Sequence, residues 1–203
     1  MLQVGITGGI GSGKTTVCKI FELLGIPVYY ADDRAKWLMA NDPDLVQQLK
    51  SAFGDQVYFE DRNLNRLYLS KIVFNDHTKL ELLNSIVHPA VFHDGAEWNK
   101  QQKDVPFTLK EAALLFESGS YKSLDKMITV TAPESLRIQR VMARDQTDEA
   151  SVKARIDKQL PEAEKVKLSD FVINNDGTQS LILQVLDIYS KLVNMAKVKV
   201  LKD

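Results

Sequence analysis

The sequence predicts an α/β fold built on a central parallel sheet with a helical insertion. Three observations lead there. A short apolar run, Leu2–Thr7, passes through a glycine-rich turn into a helical pattern, Val17–Leu24. A second short run, Ile26–Tyr30, follows at once, and strand, helix, strand is how a parallel α/β sheet opens. From residue 34 to 89 helical spacings succeed one another with no clear strand between them, which reads as an α-helical insertion in the sheet domain.

The glycine-rich turn is the most specific of these features. Gly8-Gly9-Ile10-Gly11-Ser12-Gly13-Lys14-Thr15-Thr16 satisfies the phosphate-binding P-loop spacing, glycine, four residues, then Gly-Lys-Thr. Each residue type has a physical reason. Glycines accept positive φ and let backbone N–H groups approach an anion closely. The helix that follows adds the partial positive charge of its N-terminus. Lys14 is placed to reach β- and γ-phosphates, and the Thr15 hydroxyl to ligate Mg²⁺. Gly11, Ser12, Gly13, Lys14, Thr15 and Thr16 are therefore the expected contacts of a nucleoside triphosphate.

The remaining elements follow in order. Gly25 stops the first helix, and Pro27 sits near the start of the second strand, where a missing donor is tolerated. That strand ends in Ala31-Asp32-Asp33, on the edge where ligands of such sheets bind. Asn41-Asp42-Pro43 starts a helix and Gly54 ends it; Leu67–Phe74 and Leu80–Val87 carry further helical spacings. His88-Pro89 reads as the break before another helix, residues 91–102. Residues 105–115 fit a strand, Lys126–Thr131 a buried strand, and Ala132-Pro133-Glu134 starts a helix bearing Arg137, Arg140 and Arg144. Residues 145–167 are charged and helical, Phe171–Ile173 is a last strand, and residues 181–193 form an amphipathic closing helix.

Bulk composition narrows the function classes. A chain of 203 residues suits one domain with insertions, and 44% apolar residues is ordinary for a globular protein. A net charge of −1 supplies no global basic field for nucleic acid or anionic lipid. One cysteine, Cys18, forms no intrachain disulfide and reads as a packed thiol in a reducing compartment. No signal-peptide pattern opens the chain and no apolar run approaches the roughly 18 residues of a membrane span, so a cytoplasmic location is expected.

Asp32 is the second chemical feature. A kinase places a carboxylate beside the acceptor hydroxyl, and a carboxylate ending the strand after the P-loop helix suits that role or Mg²⁺ binding through water. A helix N-cap is the alternative; beside a P-loop the functional reading is preferred for Asp32, and Asp33 is taken as the cap or an exposed neighbour. The arginine set is third: such residues on a mobile lid neutralise transferred phosphoryl charge, or else form a solvated face paired with Glu134, Asp145, Asp148 and Glu149. No clear run of four apolar residues ends in Asp, and the buried strand Met127–Val130 leads into Thr131-Ala132-Pro133, which speaks against motor and GTP-binding classes and for a small-molecule kinase. His88 is a polar cap or a substrate contact. Trp37 and Trp98 read as packing residues, with Trp37 also a candidate pocket wall.

Taken together, these residues resemble the dephospho-CoA kinase family across nearly the whole chain. The resemblance rests on the P-loop, Gly25-Ile26-Pro27-Val28, Ala31-Asp32, Arg66 with Leu69 and Val73-Phe74, and His88-Pro89. It continues through Leu114–Gly119, Arg144-Asp145, Arg155, Gln159 and Ile173–Gly177. It implies a nucleoside-monophosphate-kinase-like three-layer fold in one domain, with residues 34–89 binding the acceptor and 145–167 forming a helical lid. It implies transfer of the ATP γ-phosphate to the ribose 3′-hydroxyl of dephospho-CoA, with Mg²⁺, the last step of coenzyme A synthesis. Asp32 would be the catalytic carboxylate and Lys14 its partner in the transfer. Arg140 and Asn175 would lie near the adenine, and Arg66 and His88 near the acceptor. Two positions depart from the pattern: Tyr30-Ala31-Asp32 stands where Asp-Ala-Asp is usual, and Ala113 where proline precedes Leu-Leu-Phe-Glu. The carboxylate assigned to chemistry is retained. Competing readings are another small-molecule kinase of the same fold and a nucleotide-dependent switch with no acceptor; Asp32 and the helical insertion speak against the switch.

Overall fold

The computed structural model describes residues 1–74 and 76–200. The described chain forms two compact units, one of Met1–Tyr30 with the chain from Gln102 onward, the other of Ala31–Gln101.

The first unit holds five strands, β1 (Leu2–Thr7), β2 (Val28–Tyr30), β3 (Phe107–Glu111), β4 (Lys126–Thr131) and β5 (Phe171–Asn174). They pair in the order β2-β3-β1-β4-β5, every pair parallel. Ile6 stands opposite Glu111 on one side and Ile128 on the other, so β1 and β3 finish within one residue of each other while β4 runs on to Thr131. The chain leaves β1 for one edge of the sheet and later returns to fill the other, which makes the end of β1 a topological switch point, where such sheets bind ligands.

Helices α1 (Lys14–Leu23) and α9 (Leu181–Val200) belong to this unit, as do α6 (Glu134–Asp145), α7 (Glu149–Ile156) and α8 (Glu162–Lys167). The core joins Val4, Ile6, Leu109, Ile128, Val130 and Ile173 of the sheet to Val17, Cys18 and Phe21 of α1. Val185, Ile188, Leu192 and Ala196 of α9 complete it at helical spacing. Strands buried on both faces read as near-continuous apolar runs, which is why β1 and β4 stand out in the sequence.

The second unit is helical: α2 (Ala31–Asn41), α3 (Pro43–Phe53), α4 (Arg66–Phe74) and α5 (His77–Gln101). The caps of α3 behave as their sequence dictates. Asp42 accepts from Leu45 N at 2.9 Å, Pro43 opens the helix, and Gly54 closes it at φ 87°. Helix α5 packs against α2, α3 and α4, and Asp94 takes both Arg34 Nε and Nη2, at 2.9 and 2.6 Å.

Three boundaries differ from the sequence reading. Helix α5 runs straight through Pro89 instead of breaking there. Burial of Val87 and Val91, one turn apart, outweighs the bond the proline removes. Strand β3 stops at Glu111, and residues 113–118 turn, with Ser118 N donating to Leu114 O at 3.0 Å while Leu115 and Phe116 are buried beneath. Helix α9 continues to Val200 because Ala196 extends its buried stripe one turn further.

Candidate active site

The P-loop leaves β1 and ends as the N-terminus of α1. Gly13 is the N-cap at φ 93°, and a Cβ there would project onto the Asn175 amide. Gly11, at φ 79°, leaves no room for a side chain over the Arg137 carbonyl. Both positions demand glycine for conformation and for space.

The carbonyls of the loop are taken up one after another. Gly8 O accepts from Lys14 Nζ at 3.0 Å, and Gly9 O from Ser12 N at 3.1 Å. Gly11 O accepts from Arg140 Nη1 at 3.5 Å, Ser12 O from Asn175 Nδ2 at 2.8 Å, and Gly13 O from Thr16 N at 3.0 Å. A loop whose carbonyls are occupied in this way is set up to offer N–H groups to an anion, at a helix end that already favours negative charge. The Ser12 hydroxyl is buried and has no hydrogen-bond partner among the described residues. Thr15 and Thr16 are exposed and Lys14 is half-buried.

Arg140 and Asn175, both expected near the adenine, touch each other. Arg140 Nη2 donates to Asn175 O at 3.0 Å, and Asn175 N is anchored on Thr131 O at 2.8 Å. The other arginines divide. Arg137 is buried against the loop, not solvated. Arg144 and Arg155 converge on Asp145, at 2.6 and 2.8 Å, and their hydrogen bonds hold that carboxyl far below the usual carboxylate range.

Several residues of this site were not assigned a role from sequence. Gln159 Oε1 accepts from Ile10 N at 2.9 Å. Lys165 is wholly buried, with Nζ 2.8 Å from Glu117 Oε1, and Leu160 N donates to the same oxygen at 2.7 Å. These contacts tie the Leu-Leu-Phe-Glu turn to α8. Glu111 is a buried carboxylate ending β3 beside β1. A search for four apolar residues before an acid passes over it, because Thr108 and Lys110 interrupt the run. Cys18 is buried in α1, and burial together with the Glu111 charge pushes its thiol well above the ordinary value, so it is no nucleophile.

Family models place this geometry. The model described as dephospho-CoA kinase matches residues 2–180. The chain belongs to the dephospho-CoA kinase family. The match takes in the P-loop, Asp32, Arg66, His88, Arg140 and Asn175 and stops one residue before α9. A dephospho-CoA kinase of Salinibacter ruber is 44% identical over 180 residues, 88% of this chain and 90% of the relative. The crystal structure of a Thermus thermophilus protein superposes with a TM-score of 0.84 at 33% identity, covering 94% of this chain and 96% of that one. The dephospho-CoA kinase of Campylobacter jejuni superposes at 0.68 with 27% identity, over 95% and 97% of the two chains. As a member of this family the chain is a kinase of coenzyme A biosynthesis.

The second unit carries the other predicted residues. Helix α2 begins at Ala31, so Asp32 and Asp33 lie in its first turn and neither is its N-cap. Asp32 is exposed, and Asp33 pairs with Lys36 at 2.7 Å. Arg66 is the exposed first residue of α4, and His88 is exposed on α5. Trp37 is half exposed rather than packed, with the Arg34 guanidinium 4.4 Å from its ring centre.

Among the described residues no group of three His, Cys, Asp or Glu side chains is arranged to hold a metal ion. Magnesium held by one threonine hydroxyl, phosphate oxygens and water needs no such group, so the exposed Thr15 fits it. No helix among the described residues is long and apolar enough to cross a membrane.

Proposed function

We propose that this chain transfers the γ-phosphoryl group of ATP to the ribose 3′-hydroxyl of dephospho-CoA, giving CoA and ADP. The observation that carries the donor half is the P-loop with its carbonyls engaged and Lys14 and Thr15 at the head of α1. The acceptor comes from the family.

The roles follow from the chemistry. Gly11 to Thr16 bind the β- and γ-phosphates through backbone N–H groups and the Lys14 ammonium. Arg140 and Asn175 form the wall on which the adenine rests. Asp32, two residues beyond β2 in a sheet whose strands all run the same way, takes the proton of the 3′-hydroxyl. The freed oxygen forms the new bond to γ-phosphorus as the bond to the β-phosphate oxygen breaks, and ADP departs with that electron pair. Lys14 neutralises the charge that develops between them. Thr15 would hold Mg²⁺, which supplies further charge neutralisation on the phosphates when bound. Arg66, His88 and residues 34–89 serve the acceptor, and residues 145–167 act as the lid, with α8 as its anchored base. The lone buried cysteine fits a reducing compartment, and we assign the chain to the cytoplasm.

The test is ADP release with Mg²⁺-ATP and a panel of acceptors. Turnover is expected on dephospho-CoA at roughly 1–100 per second. Turnover on a nucleoside monophosphate or a sugar instead would reassign the substrate. ATP binding with no transfer to any acceptor would point to a switch.

A further inference from the structure

Arg137 is 5% exposed, although helical spacing alone puts it among the surface arginines of α6. A buried guanidinium persists only with compensation. Its Nε lies 3.2 Å from Glu162 Oε2 and donates to Ala132 O at 3.1 Å; its Nη2 lies 3.7 Å from Glu134 Oε2. Glu162 Oε1 in turn accepts from Ala132 N at 3.2 Å. The remaining edge of the guanidinium faces the P-loop. A Cβ at Gly9 would fall on Arg137 Nη1, and a Cβ at Gly11 on the Arg137 carbonyl. Three residues before Glu162, Gln159 holds Ile10 N. One segment, residues 159–162, thus grips the loop twice, directly at Ile10 and through Arg137 at Gly9.

We propose that Arg137 is a positioning residue for phosphate binding. Its planar fork, hydrogen-bonded to Ala132 O and charge-paired with Glu162, backs Gly9 from outside, while its main-chain carbonyl lies behind Gly11; the fork so sets where the loop's N–H groups point. Lysine keeps the charge and lacks the fork. The proposal rests on the reading of the P-loop as the site of ATP's β- and γ-phosphates.

The test compares ATP, ADP and AMP binding in the full chain and in Arg137→Lys, by calorimetric titration. Loss of the rigid guanidinium backing behind Gly9 is expected to weaken ATP and ADP about tenfold. AMP, which has no β-phosphate, should change less than about twofold. Because Arg137→Lys risks leaving Glu162 poorly paired, the double variant Arg137→Gln/Glu162→Gln, which buries no unpaired charge, is measured alongside and should show the same selectivity. Unchanged ATP and ADP binding in a folded variant overturns the proposal. So does equal weakening of all three nucleotides, which is the mark of a general packing role. Failure of the unaltered chain to bind ATP or ADP would instead sink the functional reading on which the proposal rests.

Discussion

The surroundings of the P-loop and the surface of the helical unit differ in kind. Around the P-loop, polar groups are matched pair by pair: Lys14 on Gly8, Gln159 on Ile10, Arg140 on Gly11, Asn175 on Ser12. The helical unit instead leaves large apolar side chains open, Leu67 at 78% and Phe74 at 66% exposed, with Trp37 at 50%. The difference suits the two roles proposed above. A polyphosphate needs fixed donors, set before it arrives, because reorganising dipoles during reaction is costly. An acceptor with a long, partly apolar arm is better served by an open apolar surface. The P-loop is thus braced by hydrogen bonds from side chains far away in sequence.

Substitutions can separate the two halves. The largest effect is expected for Asp32→Asn, which removes the proton acceptor and should lower kcat by about 10²–10⁴-fold in the ADP-release assay. Lys14→Ala follows, with kcat/KM for ATP falling about 10²–10³-fold. Lys165→Met removes the wholly buried ammonium that pairs with the solvent-accessible Glu117 carboxylate. It should cost about 1–3 kcal/mol of stability, read as a lowered melting temperature, with no direct effect on the acceptor side. The smallest effect is a pH dependence. Burial raises the Glu162 carboxyl above its ordinary value, the Arg137 charge opposing it in part. A carboxyl raised in the folded state favours folding while protonated, and that contribution is lost as pH rises from the ordinary carboxylate value through its own higher one. Glu162→Gln should flatten the stability profile in that window, measured by denaturant unfolding at several pH values.

How legible the molecule is depends on how far apart the partners lie in sequence. The P-loop is contiguous, and its glycines, lysine and threonine announce both the turn and the chemistry. Strands β1 and β4 show as apolar runs for the same local reason. The bracing behind the loop is invisible in this way: Gln159 and Ile10 are 149 positions apart, and Leu160 and Glu117 are 43 apart. Arg137 has helical spacing with Arg140 and Arg144, so periodicity assigns all three to one kind of surface. Only the position of Gly9 reveals that the first is buried. Glu111 becomes meaningful once its register opposite Ile6 is known. Pro89 misleads because a local helix-breaking preference yields to the packing of α5 on three neighbouring helices.

The central proposal is that nucleotide grip and acceptor chemistry are carried by different residues, and the ATP dissociation constant of Asp32→Asn tests it most directly. Titrated against the unaltered chain under the same Mg²⁺ and salt, the variant should bind ATP within about twofold, because the loop and its bracing are untouched; a loss of about tenfold or more, equivalent to a charge-assisted hydrogen bond, would place Asp32 in the donor grip and contradict the division.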